Sequence, residues 1–537
     1  MPERVTGTTR RTAPRAIAVG AGGLLLAALL PAASAAAGGG GHGNACEHRA
    51  NNTYAKLLEC VTVDGVREHQ AALQKIADNS SDPDYPGTRA VGTDGYADSV
   101  RYVSDVLTVA GYRVTLDPFE FEYAFPIVLR QLTPTEADHE AAAVGGSHSG
   151  ELEGQVIPVD INLTGDRASD SGCEPEDFAG LDFSGDNDIA LIQRGTCNFA
   201  VKVQNAQNAG AEAVVLFNQG NTPEREALLT NVAATEFEDG STWEPAIPIV
   251  GTSFAAGQAL AAPGSTAFVS ARTEQRTDFN VLGELPGRNT GNVVMAGAHL
   301  DSVTEGPGIN DDGSGTAALL EVAQNMAKSG GDNTLRFAFW GGEELGLLGS
   351  TDYVTGLPQA ERDRIALYMN FDMIGSPNYV QTVYDSDQST FEAPVPIPEG
   401  SIAIEDLFES YYTSIGEPYD DSAFDGRSDY QAFIDPEVGI ASGGIFTGAE
   451  EVKSEEQQAI WGGTAGEQFD PCYHAACDTY ENVDLHALDV NSDLIAYAML
   501  TYAYSTESVN GVPGKQVPGR PAPLPAPAGP EGTFPLE

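Results

Sequence analysis

Asn292-Val293-Val294-Met295-Ala296-Gly297-Ala298 runs straight into His299-Leu300-Asp301, and the loop Gly308-Ile309-Asn310-Asp311-Asp312-Gly313-Ser314-Gly315 follows shortly after. An apolar run of this length without polar interruption reads as a strand covered on both faces. The glycine-rich loop opens a predicted helix over 316–328, which Gly330-Gly331 ends. Two more apolar runs, over 334–340 and 365–371, read as strands, and a further one is expected over 438–446. Strands alternating with amphipathic helices define an α/β architecture whose sheet has helices on both sides.

The same strands end on chemistry. His299 and Asp301 close the first, Asp311 and Asp312 lie in its loop, Gly341-Gly342-Glu343-Glu344 follows the second and Asn370-Phe371-Asp372 the third. In open α/β sheets, ligands bind beyond the carboxyl ends of the strands. Singly, each residue has an ordinary reading as a turn, a cap or a solvated face. Jointly they would crowd carboxylates at one rim, where repulsion and burial oppose ionisation unless a cation compensates. One metal ion, or two sharing a carboxylate, resolves the conflict. Mixed imidazole and carboxylate donors suit zinc, whereas calcium takes oxygen alone. A second imidazole is available in Asp470-Pro471-Cys472-Tyr473-His474-Ala475-Ala476-Cys477-Asp478, where a Cys472–Cys477 loop would hold His474 in place.

Composition narrows the partners. Of 537 residues, 27 are Lys or Arg and 78 Asp or Glu, a formal charge of −51 that repels both nucleic acid and anionic membrane surfaces. Arg4, Arg10, Arg11 and Arg15 precede an apolar stretch over 16–30 and then Ala33-Ser34-Ala35, the order of a secretory signal over 1–35. About 15 apolar residues are too few to span a bilayer, which takes about 20. An exported chain with six cysteines favours disulfides, and the spacing suggests local pairs: Cys46 with Cys60, Cys173 with Cys197, Cys472 with Cys477. No Cys-x-x-Cys motif supports a thiolate metal cluster.

Along the chain, a glycine-rich lead over 36–45 precedes the first part of the main domain, 46–125, with helices expected over 66–77 and 95–110 and a strand over 112–121. Between 126 and 275 the texture changes to short β-like runs, such as 188–193 and 213–218, separated by Gly, Asp and Pro, which marks a separate module. The main domain resumes over 276–507. The Pro- and Gly-rich end, 508–537, reads as an extended disordered tail.

At Ala298 to Val303, Gly308 to Gly315, Trp340 to Gly349, Asn370 to Pro377 and Trp461 to Asp478 the chain resembles secreted, co-catalytic two-zinc aminopeptidases of the leucyl type. The likeness extends over 66–125 and 278–504. It implies a mixed, mostly parallel sheet flanked by helices, the zinc-exopeptidase fold. It implies two zinc ions bridged by Asp311, with His299 and Asp372 completing one site, Glu344 and His474 the other, and a cis peptide within Asp311-Asp312. Glu343 would be the general base, Tyr473 would stabilise the oxyanion, Arg427 would lie near the substrate's amino group and Phe446 would line the side-chain pocket. The implied substrates are peptides with a free N-terminus, large hydrophobic first residues preferred, and the implied enzyme is a monomer. Some relatives bind calcium at an Asp pair matched by Asp489 and Asp493, but no matching Asp stands near the start of the domain. Where a His often follows the residue matched by Asp429, this chain has Tyr430-Gln431-Ala432. The module at 126–275 resembles a β-rich α/β protease-associated domain, through Ile192-Gln193-Arg194-Gly195-Thr196-Cys197-Asn198-Phe199 and the helix after it.

Three other functions share parts of this pattern. A dizinc carboxypeptidase would need cationic groups for a C-terminal carboxylate, and only Arg427 is placed near the site. A non-catalytic binding protein would have lost a ligand or the base, and all six expected positions are filled. A single-zinc cyclase acting on N-terminal glutamine would carry half the metal.

Overall fold

The computed structural model describes residue 46 and residues 48–533, so the expected signal and lead, as well as the last four residues, lie outside the described residues. Two eight-stranded mixed sheets organise the rest. The first runs Arg113–Ala124, Thr273–Leu285, Asn333–Trp340, Asn289–His299, Ile365–Phe371, Ser442–Phe446, Thr382–Tyr384, Asp420–Ser422 in spatial order. Its four central strands are mutually parallel, and antiparallel pairings flank them. This is the mixed, mostly parallel sheet that the family resemblance implies.

The apolar runs are continuous because both faces are covered. Val294, Ala296, Ala298, Leu335, Phe337 and Phe339 enter one hydrophobic cluster, while their neighbours Met295, Ala338 and Trp340 enter another on the opposite face. Alternate residues of a strand point to opposite faces, so a two-sided core demands apolar residues at every position. The helix Gly313–Met326 covers the first face, packed against Val63–Asn79, Leu485–Tyr504 and the strand Asn289–His299. It starts three residues before the expected helix because Asp312 caps it, accepting from the Gly315 N–H at 2.9 Å. The run expected as a strand over 438–446 pairs only over Ser442–Phe446. Its earlier residues turn back, with Ile440 N–H bonded to the Phe433 carbonyl.

The second sheet runs Ala137–His139, Val128–Thr133, Thr266–Ala271, Gly150–Val159, Asp188–Gln193, Ala213–Phe217, Ile249–Thr252, Ala141–Ala143. It hangs from the tip of a long antiparallel ribbon in which Ala124 pairs with Thr273. Entry and exit of the module are thus adjacent, which lets it be inserted without parting the main sheet. The three disulfides pair as the spacing suggests: Cys46–Cys60, Cys173–Cys197 and Cys472–Cys477.

The Pro- and Gly-rich end corrects the expectation of disorder. It is extended but pinned: Lys515 N–H bonds the Tyr504 carbonyl, Val517 is buried, and the Asp420 carboxylate accepts from the backbone of Gly532 and Thr533. Composition foretold the lack of regular structure. It could not foretell the carboxylate and carbonyls that hold the segment down.

Candidate metal centre

Three adjacent parallel strands deliver the chemistry. His299 ends one and lies in register with Trp340, whose strand leads to Glu343 and Glu344, and Asp372 follows Phe371 on the other side. Asp311 lies in the loop before the helix Gly313–Met326, and the Asp311-Asp312 peptide is cis. His474 arrives from the loop closed by Cys472–Cys477.

Asp311 stands at the centre. Its Oδ1 lies 3.0 Å from His299 Nε2 and its Oδ2 3.3 Å from His474 Nε2, so one carboxylate faces both imidazoles. Asp372 Oδ1 is 3.5 Å from His299 Nε2, and Glu344 Oε2 is 3.1 Å from His474 Nε2. The groups converge as two sets hinged on Asp311, one of His299 and Asp372 and one of His474 and Glu344. Donor atoms of His299, Asp311 and Glu344 all lie within 4.8 Å of one another. Glu344 Oε1 is buried without a hydrogen-bond partner. An orphaned carboxylate oxygen beside two imidazoles fits a metal ligand shell.

The surrounding carboxylates favour positive charge here. Burial alone would lower the His474 pKa, but hydrogen bonds to Asp311 and Glu344 outweigh it and raise it to about 10. Burial pushes Glu344 up to about 7, with Asp311 adding repulsion, and it pushes Glu343 well above the usual carboxylate range despite the opposing pull of His299. Asp311 is driven down: burial opposes its charge, but contacts with both imidazoles prevail.

Several supporting residues were either named in the sequence without a role or not named at all. His299 Nδ1 lies 3.6 Å from Asp301 Oδ1. Asp312, with an oxygen within 4.8 Å of donor atoms of His299 and Asp372, is taken up by the backbone, accepting from the N–H of His299, Gly315 and Met373. Asp478 accepts from the N–H groups of Asn310 and Asp311, and Ser428 Oγ donates to Asp372 Oδ2 at 2.5 Å. Arg89 is wholly buried beneath the loop, donating to the carbonyls of Leu300, Pro307 and Gly308. Asp301, Asp312 and Asp478 stand within the quoted motifs, which was the available signal. Arg89 had none.

Beside the cluster opens a cavity of about 360 Å³, lined by Asp311, Glu343, Glu344, Asp372 and His474 together with Leu347, Met373, Tyr384, Ala423, Phe446 and Ala449. Tyr473 stacks on His474 and accepts from Arg427 Nη2 at 3.2 Å. Arg427 is also paired with Glu450 at 2.9 Å. Asp489 and Asp493 sit one turn apart on the helix Leu485–Tyr504, and among the described residues they belong to no cluster of three potential metal ligands.

Residues 280–499 match the model of Peptidase family M28, and residues 152–260 match that of the PA domain. An aminopeptidase of Pseudomonas aeruginosa is 43% identical over 82% of this chain and 81% of its own. A probable leucine aminopeptidase 2 of Aspergillus fumigatus is 39% identical over 78% of this chain and 80% of its own. A zinc aminopeptidase from Bacillus subtilis shares the fold, with a TM-score of 0.56 at 23% identity over 84% of this chain and 98% of that one. The protein is a peptide-bond hydrolase of the metalloaminopeptidase class. The chain belongs to peptidase family M28, with a PA domain inserted in its catalytic domain.

Proposed function

We propose that the protein is a secreted aminopeptidase that removes large hydrophobic N-terminal residues from peptides with the help of two zinc ions. The single observation that carries the reading is the Asp311 carboxylate, which presents one oxygen to His299 and the other to His474. Asp311 would be shared, with His299 and Asp372 holding one ion and Glu344 and His474 the other. When bound, the metal supplies Lewis acidity and brings the pKa of water towards neutrality. Glu343 faces the same cavity and is left to take the proton from the attacking water and pass it to the departing amine. The Tyr473 hydroxyl, which accepts from Arg427, would donate to the developing oxyanion.

Selection of the free N-terminus is supported by charge. Asp425, Glu343 and Glu451 line the cavity, and an ammonium is favoured among them. Arg427, already paired with Glu450, is poorly placed to seize a C-terminal carboxylate, which weakens the carboxypeptidase reading. Three disulfides suit an oxidising compartment outside the cytoplasm, and among the described residues no helix is long and apolar enough to cross a membrane.

The test is a panel of free and N-acetylated peptides assayed before and after chelation and zinc restoration. Turnover of free peptides alone, lost on chelation and recovered with zinc, is expected; indifference to the chelator would remove the metal from the mechanism. Two variants refine it. Phe446→Ala opens the apolar wall and is expected to cost about 10–100-fold in kcat/KM for a bulky first residue, the value of burying one large side chain, with a smaller loss for alanyl substrates. Asp301→Asn removes the negative charge 3.6 Å from His299 Nδ1 but leaves the Asp301 backbone carbonyl, which the ring nitrogen meets at 3.2 Å. Equilibrium dialysis is expected to show a metal affinity about tenfold lower.

A further inference from the structure

A second group of carboxylates lies at the far edge of the main sheet, outside the catalytic cluster. Glu405 and Glu409 stand four residues apart, hence on one face of the helix Ile402–Ile415. Asp421 comes from the edge strand Asp420–Ser422, and one carboxylate oxygen each of Asp421, Glu405 and Glu409 lie within 4.8 Å of one another. Asp385 and Asp387, in the loop after Thr382–Tyr384, form a contiguous triad with the same Glu405. Three segments remote in sequence thus bring five carboxylates together. The charged groups acting on Glu405 and Glu409 are themselves all carboxylates.

Acidic residues often gather without a ligand, so a second observation decides. Asp421 is 1% exposed; Thr390 Oγ1 donates to its Oδ2, but its Oδ1 is buried with no hydrogen-bond partner. Glu405 is 4% exposed, and its Oε2 accepts from the backbone N–H of Ser386 and Asp387. Leaving a buried carboxylate oxygen unpartnered is costly unless something answers it. No side chain supplies the answer, since every nearby charge is negative; only a proton or a bound cation can.

We infer that Glu405, Glu409 and Asp421 form a calcium site, with Asp385 and Asp387 at its margin. The donor set is oxygen throughout, with neither imidazole nor thiolate, which suits a hard cation and disfavours zinc. Calcium is preferred to magnesium because carboxylates fixed on a helix, a strand and a loop meet its irregular coordination more easily than a strict octahedron. The site differs from the Asp489 and Asp493 pair and does not depend on the aminopeptidase reading. Its consequence would reach the cavity, because Tyr384, Ser422 and Ala423, next to these ligands in sequence, line it.

The test uses the full chain, loaded with zinc and dialysed into calcium-free buffer. Calcium chloride titrated by calorimetry is expected to bind saturably at one site per chain. At a hundredfold excess over the dissociation constant it is expected to raise Tm by about 2–4 °C. Both effects should vanish in the Glu409→Gln/Asp421→Asn double variant and survive in Asp489→Asn/Asp493→Asn. Should the double variant fold poorly, a wild-type crystal soaked in calcium supplies an independent reading: an anomalous peak between the three carboxylates is expected. No saturable binding, binding that outlasts the double variant, or no peak at these residues would each overturn the assignment.

Discussion

Glu343→Gln is expected to lower kcat by about 10²–10⁴-fold, the usual worth of a general base, while leaving the metal content of the chain unchanged. The two halves of that result separate Glu343 from its neighbour. Glu344 reaches His474 at 3.1 Å and belongs to the clustered donors, whereas Glu343 is absent from every such cluster and instead faces the cavity. Glutamine keeps the length and polarity of the side chain but cannot take a proton from water. If Glu343 were a ligand, the variant would lose metal along with turnover. If it were a bystander, kcat would hold. Metal analysis and steady-state kinetics on one preparation decide between these, and a variant with full metal and full kcat would remove the proposed base.

What the sequence made legible follows from how much of each element's reason is local. The runs at 188–193 and 365–371 correspond to strands at Asp188–Gln193 and Ile365–Phe371, because a strand buried on both faces writes its burial into consecutive residues. The three-residue strands Thr382–Tyr384 and Asp420–Ser422, which end the sheet on one side, carry no such mark. Asp420 and Asp421 have no apolar pattern of a strand, and only pairing with Thr382–Tyr384 makes them one. The charged pair within the sheet was equally hidden: Arg336 lies in a strand of otherwise apolar texture because Glu284 and Tyr353 meet its guanidinium from other elements. Such partners are fixed by topology, which periodicity does not encode. Five chemical groups of the site were nonetheless readable, since strand ends and short loops place them at one rim whatever the strand order. Arg89 was not, because its role is to bind carbonyls more than 200 residues away.

Asp311→Asn tests the centre itself, and its effect should be the larger in metal content. The change preserves shape and the backbone bond from Asp311 N–H to Asp478, so the loop has no steric reason to move. It replaces one of two equivalent oxygens with an amide nitrogen that can only donate. Whichever way the amide turns, one of the two imidazoles then faces a nitrogen where an oxygen stood, at His299 with 3.0 Å or at His474 with 3.3 Å. The negative charge common to both sets is also gone. On the proposed two-ion arrangement a shared ligand would fail for both ions at once, unlike Asp372 or Glu344, each of which would serve one. We expect metal content to fall below one ion per chain after dialysis, and kcat to fall about 10³-fold or more, since the lost Lewis-acid stabilisation is worth several kcal/mol at about 1.4 kcal/mol per tenfold. Added zinc should restore little, which distinguishes this variant from Asp301→Asn, where saturating zinc should recover most turnover. If Asp311→Asn kept two ions and ordinary kinetics, the carboxylate between the imidazoles would be only a hydrogen-bond acceptor, and the binuclear centre would have to be abandoned.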